Sequence, residues 1–149
     1  MPLGNVYYYF RNKDDLLRAV IQDHLDMANS LLGAIEAESA DPGRRLNAFF
    51  AALAGDGELV ARYGCPFGSL CTELAKRSAG PESAADLMRV PIAWMERQFA
   101  ALGRPDARDL AMEAMARYQG AALLTSTLRD PTVMSAAESR TAAWIDSLT

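Results

Sequence analysis

Histidine occurs once in these 149 residues and cysteine twice, and these shortages remove most catalytic and metal chemistry at the outset. The lone His24 lies near Asp23 and Asp26, but on a helix neither carboxylate is three or four residues away. A solvated or capping role is expected for it, rather than catalysis or metal binding. No serine has a nearby histidine to activate it, and no glycine-rich loop is arranged to cradle a phosphate. Cys65 and Cys71 fit neither a Cys-x-x-Cys redox pair nor a four-ligand zinc pattern, so both are expected to be small, half-buried packing residues. The sequence therefore predicts no enzyme, no cofactor and no metal site.

Long apolar runs are missing too. No stretch reaches the roughly 18 uncharged apolar residues that a membrane span needs, and no basic segment followed by an apolar core opens the chain. A cytoplasmic protein without a membrane partner is expected. A surplus of positive charge is also absent: the formal net charge is −4, which argues against a protein that coats nucleic acid over its whole surface. The charge is nevertheless uneven. Arg11, Lys13 and Arg18 against Asp14 and Asp15 leave residues 1–18 at +1 and the remainder at −5.

Strand signals are nearly absent. Ala, Leu, Met, Glu and Arg recur at three- and four-residue spacing, predicting an all-α protein with one core. Asn12 is placed to cap a long helix starting near Lys13, with Asp14 and Asp15 in its first turn, where the helix dipole favours carboxylates. Asp41-Pro42 starts a second helix whose inner face carries Leu46, Phe49, Phe50, Leu53, Leu59 and Val60, weakened in the middle by Gly55 and Gly57. Gly64 and Pro66 mark a turn. A short helix from about Phe67 to Arg77 and one from about Pro81 to Leu102 should follow, the latter with Pro91 in its interior. Two more helices, from about Asp106 to Leu128 and after Pro131, complete the chain.

What the sequence does offer is its opening, Leu3-Gly4-Asn5-Val6-Tyr7-Tyr8-Tyr9-Phe10 followed by Arg11-Asn12-Lys13 and Leu16-Leu17. Hydroxyl, amide and cationic donors are concentrated there on one short helix, suited to phosphate oxygens and base edges. The segment resembles the recognition helix and following turn of the tetracycline-repressor (TetR) family of transcriptional regulators. Gly64-Cys65-Pro66-Phe67-Gly68-Ser69-Leu70 is similar to a turn found in one branch of that family, and the order of helices agrees along the chain. The resemblance implies a ligand-responsive repressor: residues 1–12 a residual recognition helix and turn, residues 13–149 a helical effector-binding and dimerisation domain.

Carried over position by position, the resemblance makes Leu3, Gly4, Asn5, Tyr7, Tyr8, Tyr9 and Lys13 the DNA-contacting positions. Tyr7 and Lys13 are expected on phosphates, and Leu3, Asn5 and Tyr8 on base edges. Gly4 permits close approach, while Val6 and Phe10 point inward. In the family two helices precede this one, and the chain as given is expected to lack both. The expectation is a shortened head with impaired operator binding unless those helices are restored.

The resemblance implies an effector pocket, and Phe49, Phe50, Phe67, Leu70, Met88, Ile92, Met95, Phe99 and Met115, with Tyr63, Cys71, Tyr118 and Gln119 as polar members, are its expected lining for a small apolar effector, Met being adaptable to irregular ligands. Ala111, Ala114, Ala121 and Ala122 permit close helix approach, and Trp144 and Ile145 offer large anchors. These six are the expected interface of a homodimer. The competing reading is a helical module that binds a small molecule or a protein and has no DNA role.

Overall fold

The computed structural model describes Phe10, residues 12–76 and residues 81–148, without the side chains of 81–84. The described residues form seven α-helices and no strand. The caps explain where the first two begin. Asn12 accepts a hydrogen bond from the Asp15 backbone N–H at 2.8 Å and starts α1, Lys13–Glu38. Asp41 does the same for Arg44 N–H at 2.7 Å and, with Pro42 in the first turn, starts α2, Pro42–Gly55. Such caps are each worth about 1 kcal/mol. Between the two helices Arg45 donates to Ser39 O at 2.6 Å and Glu36 O at 3.2 Å, satisfying carbonyls that the end of α1 leaves open.

The expectation of one helix from Asp41 past Val60 is corrected. The backbone leaves the helix at Asp56 and restarts as α3, Gly57–Tyr63. Two glycines flanking one aspartate lower helix propensity enough for the chain to turn there. Leu59, expected inside, is 57% exposed as a result. A second break follows at Gly64, whose φ of +79° and ψ of 174° fall in a region essentially reserved for glycine. Cys65 then caps α4, Pro66–Ala75, its Sγ accepting from Gly68 N–H at 3.4 Å.

The remaining helices are α5, Pro81–Ala101, α6, Ala107–Leu128, and α7, Thr132–Asp146. Helix α6 is central, packing on α3, α5 and α7, while α5 also meets α1, α2 and α4. The main core gathers Leu46, Phe49, Trp94, Met95, Phe99 and Ile145. Trp94 is 1% exposed, lies 5.5 Å from the Phe49 ring, and donates through Nε1 to Glu36 at 2.8 Å. A separate seam joins the N-terminal half of α1 to α4 and α5 through Ile21, Leu74 and Leu87, with Leu17, Leu25, Phe67, Leu70 and Cys71 packed around it.

The residues expected at a dimer interface lie elsewhere than assumed. Ala111, Ala114, Ala121, Ala122 and Ile145 are buried within the single chain, so their small size lets helices of one molecule approach one another. Trp144 is half-buried, edge-on to Phe99 at 5.9 Å and covered by the Arg117 guanidinium at 4.5 Å. The outward apolar side chains of α6 are instead Met112, Leu123, Leu124 and Leu128.

Candidate functional site

A cavity of about 510 Å³ opens beside the main core. Helix α1 contributes Met27, Ala28 and Leu31, α2 contributes Phe49, Ala52 and Leu53, and α3 contributes Leu59, Val60 and Tyr63. Phe67 of α4, Met88 and Pro91 of α5, and Met115, Tyr118 and Gln119 of α6 close the other sides. Every helix break described above borders it, through Asp56, Gly64 and Pro66. The mouth is formed by Met27, Leu59 and Tyr63, all exposed. Such a concave, largely apolar space with a few polar groups has the size and chemistry of a small-molecule site. A hollow of similar volume between α1 and α5 differs in kind, being an open groove walled by Glu36, Arg89 and Arg97.

Two polar groups of the cavity, Tyr118 and Gln119, converge on Cys65. The Tyr118 hydroxyl lies 3.5 Å from Cys65 Sγ, and Gln119 Nε2 faces the same sulfur at 4.0 Å and Met115 Sδ at 3.8 Å. Sulfur is a weak acceptor, so this amide retains capacity for a better partner. Gly68 makes the arrangement possible, because a Cβ there would come within 2.6 Å of Gln119 Oε1. Burial pushes the Tyr118 phenol well above its ordinary value, with the neighbouring Cys65 and then Asp56 adding to the effect. Burial also raises the Cys71 thiol, with Cys65 contributing second. Neither cysteine forms a disulfide.

Of the thirteen residues expected to line a pocket, Phe49, Tyr63, Phe67, Met88, Met115, Tyr118 and Gln119 do so. The other six are corrected. Met95 and Phe99 are fully enclosed in the main core, Phe50 of α2 is buried in the same cluster, and Ile92 lies against it. Leu70 and Cys71 belong to the seam between α1 and α4. Met27, Ala28, Leu31, Ala52 and Leu53 were missed, although the breadth of apolar positions on α1 was a signal that more than one surface needed cover. His24 is half-buried rather than solvated: its Nδ1 lies 2.9 Å from Val20 O, and its ring meets the Phe67 edge with centroids 5.2 Å apart.

Leu3, Gly4, Asn5, Tyr7, Tyr8 and Tyr9 lie outside the described residues. Lys13, exposed, is the first residue of α1. Among the described residues no cluster of His, Cys, Asp or Glu is arranged to hold a metal ion, and no helix is long and apolar enough to cross a membrane.

No family model matches the chain, and no curated protein matches it significantly. Among solved structures, the crystal structure of a TetR transcriptional regulator from Legionella pneumophila is similar, with a TM-score of 0.80 and 21% sequence identity over 99% of this chain and 79% of that one. At that identity the likeness establishes the fold: the chain is built as an all-α bundle of TetR-like architecture.

Proposed function

We propose that this chain is a ligand-responsive transcriptional regulator of the TetR type, acting as a homodimer and repressing until an effector enters the cavity. The observation that carries the reading is the cavity itself, set against the long helix whose N-terminus follows directly on the tyrosine-rich segment. Met27 stands fourteen residues beyond Lys13 in α1, about 21 Å along the axis. Movement at the cavity is therefore delivered to the segment with the DNA-binding character. Phe67 supplies the second link, because it lines the cavity, touches His24 and packs into the seam that holds Leu17, Ile21 and Leu25.

The dimer is assigned to the outer faces of α6 and α7. Leu123, Leu124 and Leu128 are exposed there on α6, and Ala136 and Ala143 on α7 are small and exposed. Two copies related by a two-fold axis would cover both faces in a four-helix arrangement. An effector that prefers one spacing of the two α1 helices then shifts the pair toward or away from half-sites about one helical turn apart.

Hydrogen exchange of the chain with and without a bound apolar probe tests the coupling. Exchange is expected to change at residues 13–25 of α1 as well as at 27–31. A change confined to the cavity-facing turns would favour the rival, a binding module without transmission to DNA. Sedimentation of the wild type as a dimer and of Leu124→Asp as a monomer tests the interface, and a monomeric wild type would overturn it.

A further inference from the structure

The charge around the cavity is one-sided. Among the described residues, Asp56 is the charged member of the lining, and no lysine or arginine belongs to it. This carboxylate stands at the N-terminus of α3 without capping it and joins no ion pair among the described residues. Arg62, on the same helix, is held over the outer Tyr63 ring at 5.2 Å and does not line the cavity. Asp56 is exposed at the junction of α2 and α3, and its charge adds the smallest of the contributions that raise the Tyr118 phenol.

These facts discriminate among ligands. An anionic headgroup would enter beside a carboxylate with no cation of the described lining to offset either charge, a repulsion that solvent at the exposed Asp56 reduces but does not reverse. A neutral ligand would gain the apolar contacts and leave Asp56 unused. A cation gains both. Three methionines, Met27, Met88 and Met115, line the same space and adapt to an irregular hydrocarbon body.

Resting on the reading of this cavity as the effector site, we propose that its ligand is a lipophilic organic cation, an amine or quaternary ammonium, whose charge sits against Asp56 at the junction of α2 and α3 and whose hydrocarbon lies among the methionines. Calorimetric titration with octyltrimethylammonium, 1-octanol and octanoate tests this, because the three share a chain and differ in charge. Octyltrimethylammonium is expected to bind at least about ten-fold more tightly than octanoate, equivalent to about 1.4 kcal/mol. Asp56→Asn should lower its affinity several-fold and leave 1-octanol unchanged. Asn is as good a residue as Asp at a helix start, and an unchanged thermal midpoint verifies that the variant is folded. If 1-octanol and octanoate bind and the cation binds no better, or if Asp56→Asn has no effect on it, the cation assignment is wrong while the cavity remains an effector site. If none of the three binds, the effector-site reading fails and takes the assignment with it.

Discussion

The main core and the cavity are built from the same kinds of residue, and they share a wall. Phe49 belongs to both: it packs on Trp94 on one side and lines the open space on the other. Around Trp94, Met95, Phe99 and Ile145 the helices are continuous and the side chains close completely. Around the cavity they are interrupted, at Asp56 and at Gly64 to Pro66. A helix that stops short cannot carry its apolar stripe past the break, so the facing stripes of α1 and α6 meet no opposite number. Hollow space is thus set by backbone punctuation more than by side-chain choice.

Equivalent truncations on the two sides of that wall provide the largest test. Phe99→Ala removes a ring from a closed site and is expected to cost about 3–5 kcal/mol in urea unfolding. Met88→Ala enlarges a space already open and should cost under about 2 kcal/mol. Equal losses would mean that the cavity is collapsed in solution.

The punctuation itself is tested by Gly64→Ala. With φ at +79° and Ser69 Oγ 3.2 Å from the position a Cβ would take, the substitution is expected to cost about 1–3 kcal/mol. It should also weaken probe binding, because Gly64 and Pro66 orient Phe67 into the cavity. A variant as stable as the wild type would show that another backbone conformation serves the turn.

Much of this punctuation is legible in the sequence. Asn12 and Asp41 are read correctly as caps, and Gly64 with Pro66 as a turn, because capping and turn formation depend on neighbours within four residues. The break at Asp56 is visible only as a weakening. The assignment of side chains to core or cavity is less legible, since Met88 and Met95 recur on one face of the same helix, yet Met88 lines the cavity and Met95 is enclosed in the core. What separates them is which neighbouring helix ends, a property of packing between distant segments. The same limit misplaced Ala111, Ala114, Ala121 and Ala122. Small residues announce close approach and do not say whether the approaching helix belongs to the same chain.

Tyr118 gives the boundary a pH signature. Burial raises its phenol above the ordinary value of about 10. The proton is held more tightly in the folded state, so the contribution to stability is complete below about pH 10 and is lost as pH rises from there toward the folded value. Between pH 10 and 11 the wild type should lose up to about 1 kcal/mol relative to Tyr118→Phe, measured as the difference in urea midpoints. Parallel pH profiles for the two proteins would mean that water reaches the hydroxyl from the cavity and removes the burial effect.

The smallest effect on stability is expected where the effect on binding is greatest. Ala28, half-buried on α1, lines the cavity together with the α6 residues Met115 and Tyr118. Ala28→Leu adds hydrocarbon to space that is empty and keeps a strong helix former in the helix, so unfolding should shift by no more than about 1 kcal/mol, toward greater stability. The same side chain occupies volume that a ligand needs, and 1-octanol affinity should fall at least about ten-fold, or about 1.4 kcal/mol. In a close-packed core the identical change would be destabilising, because added methylenes force side chains off their rotamers at about 1–3 kcal/mol. The sign of the stability change therefore distinguishes a held-open site from a packed one at a single position, independently of which ligand it takes.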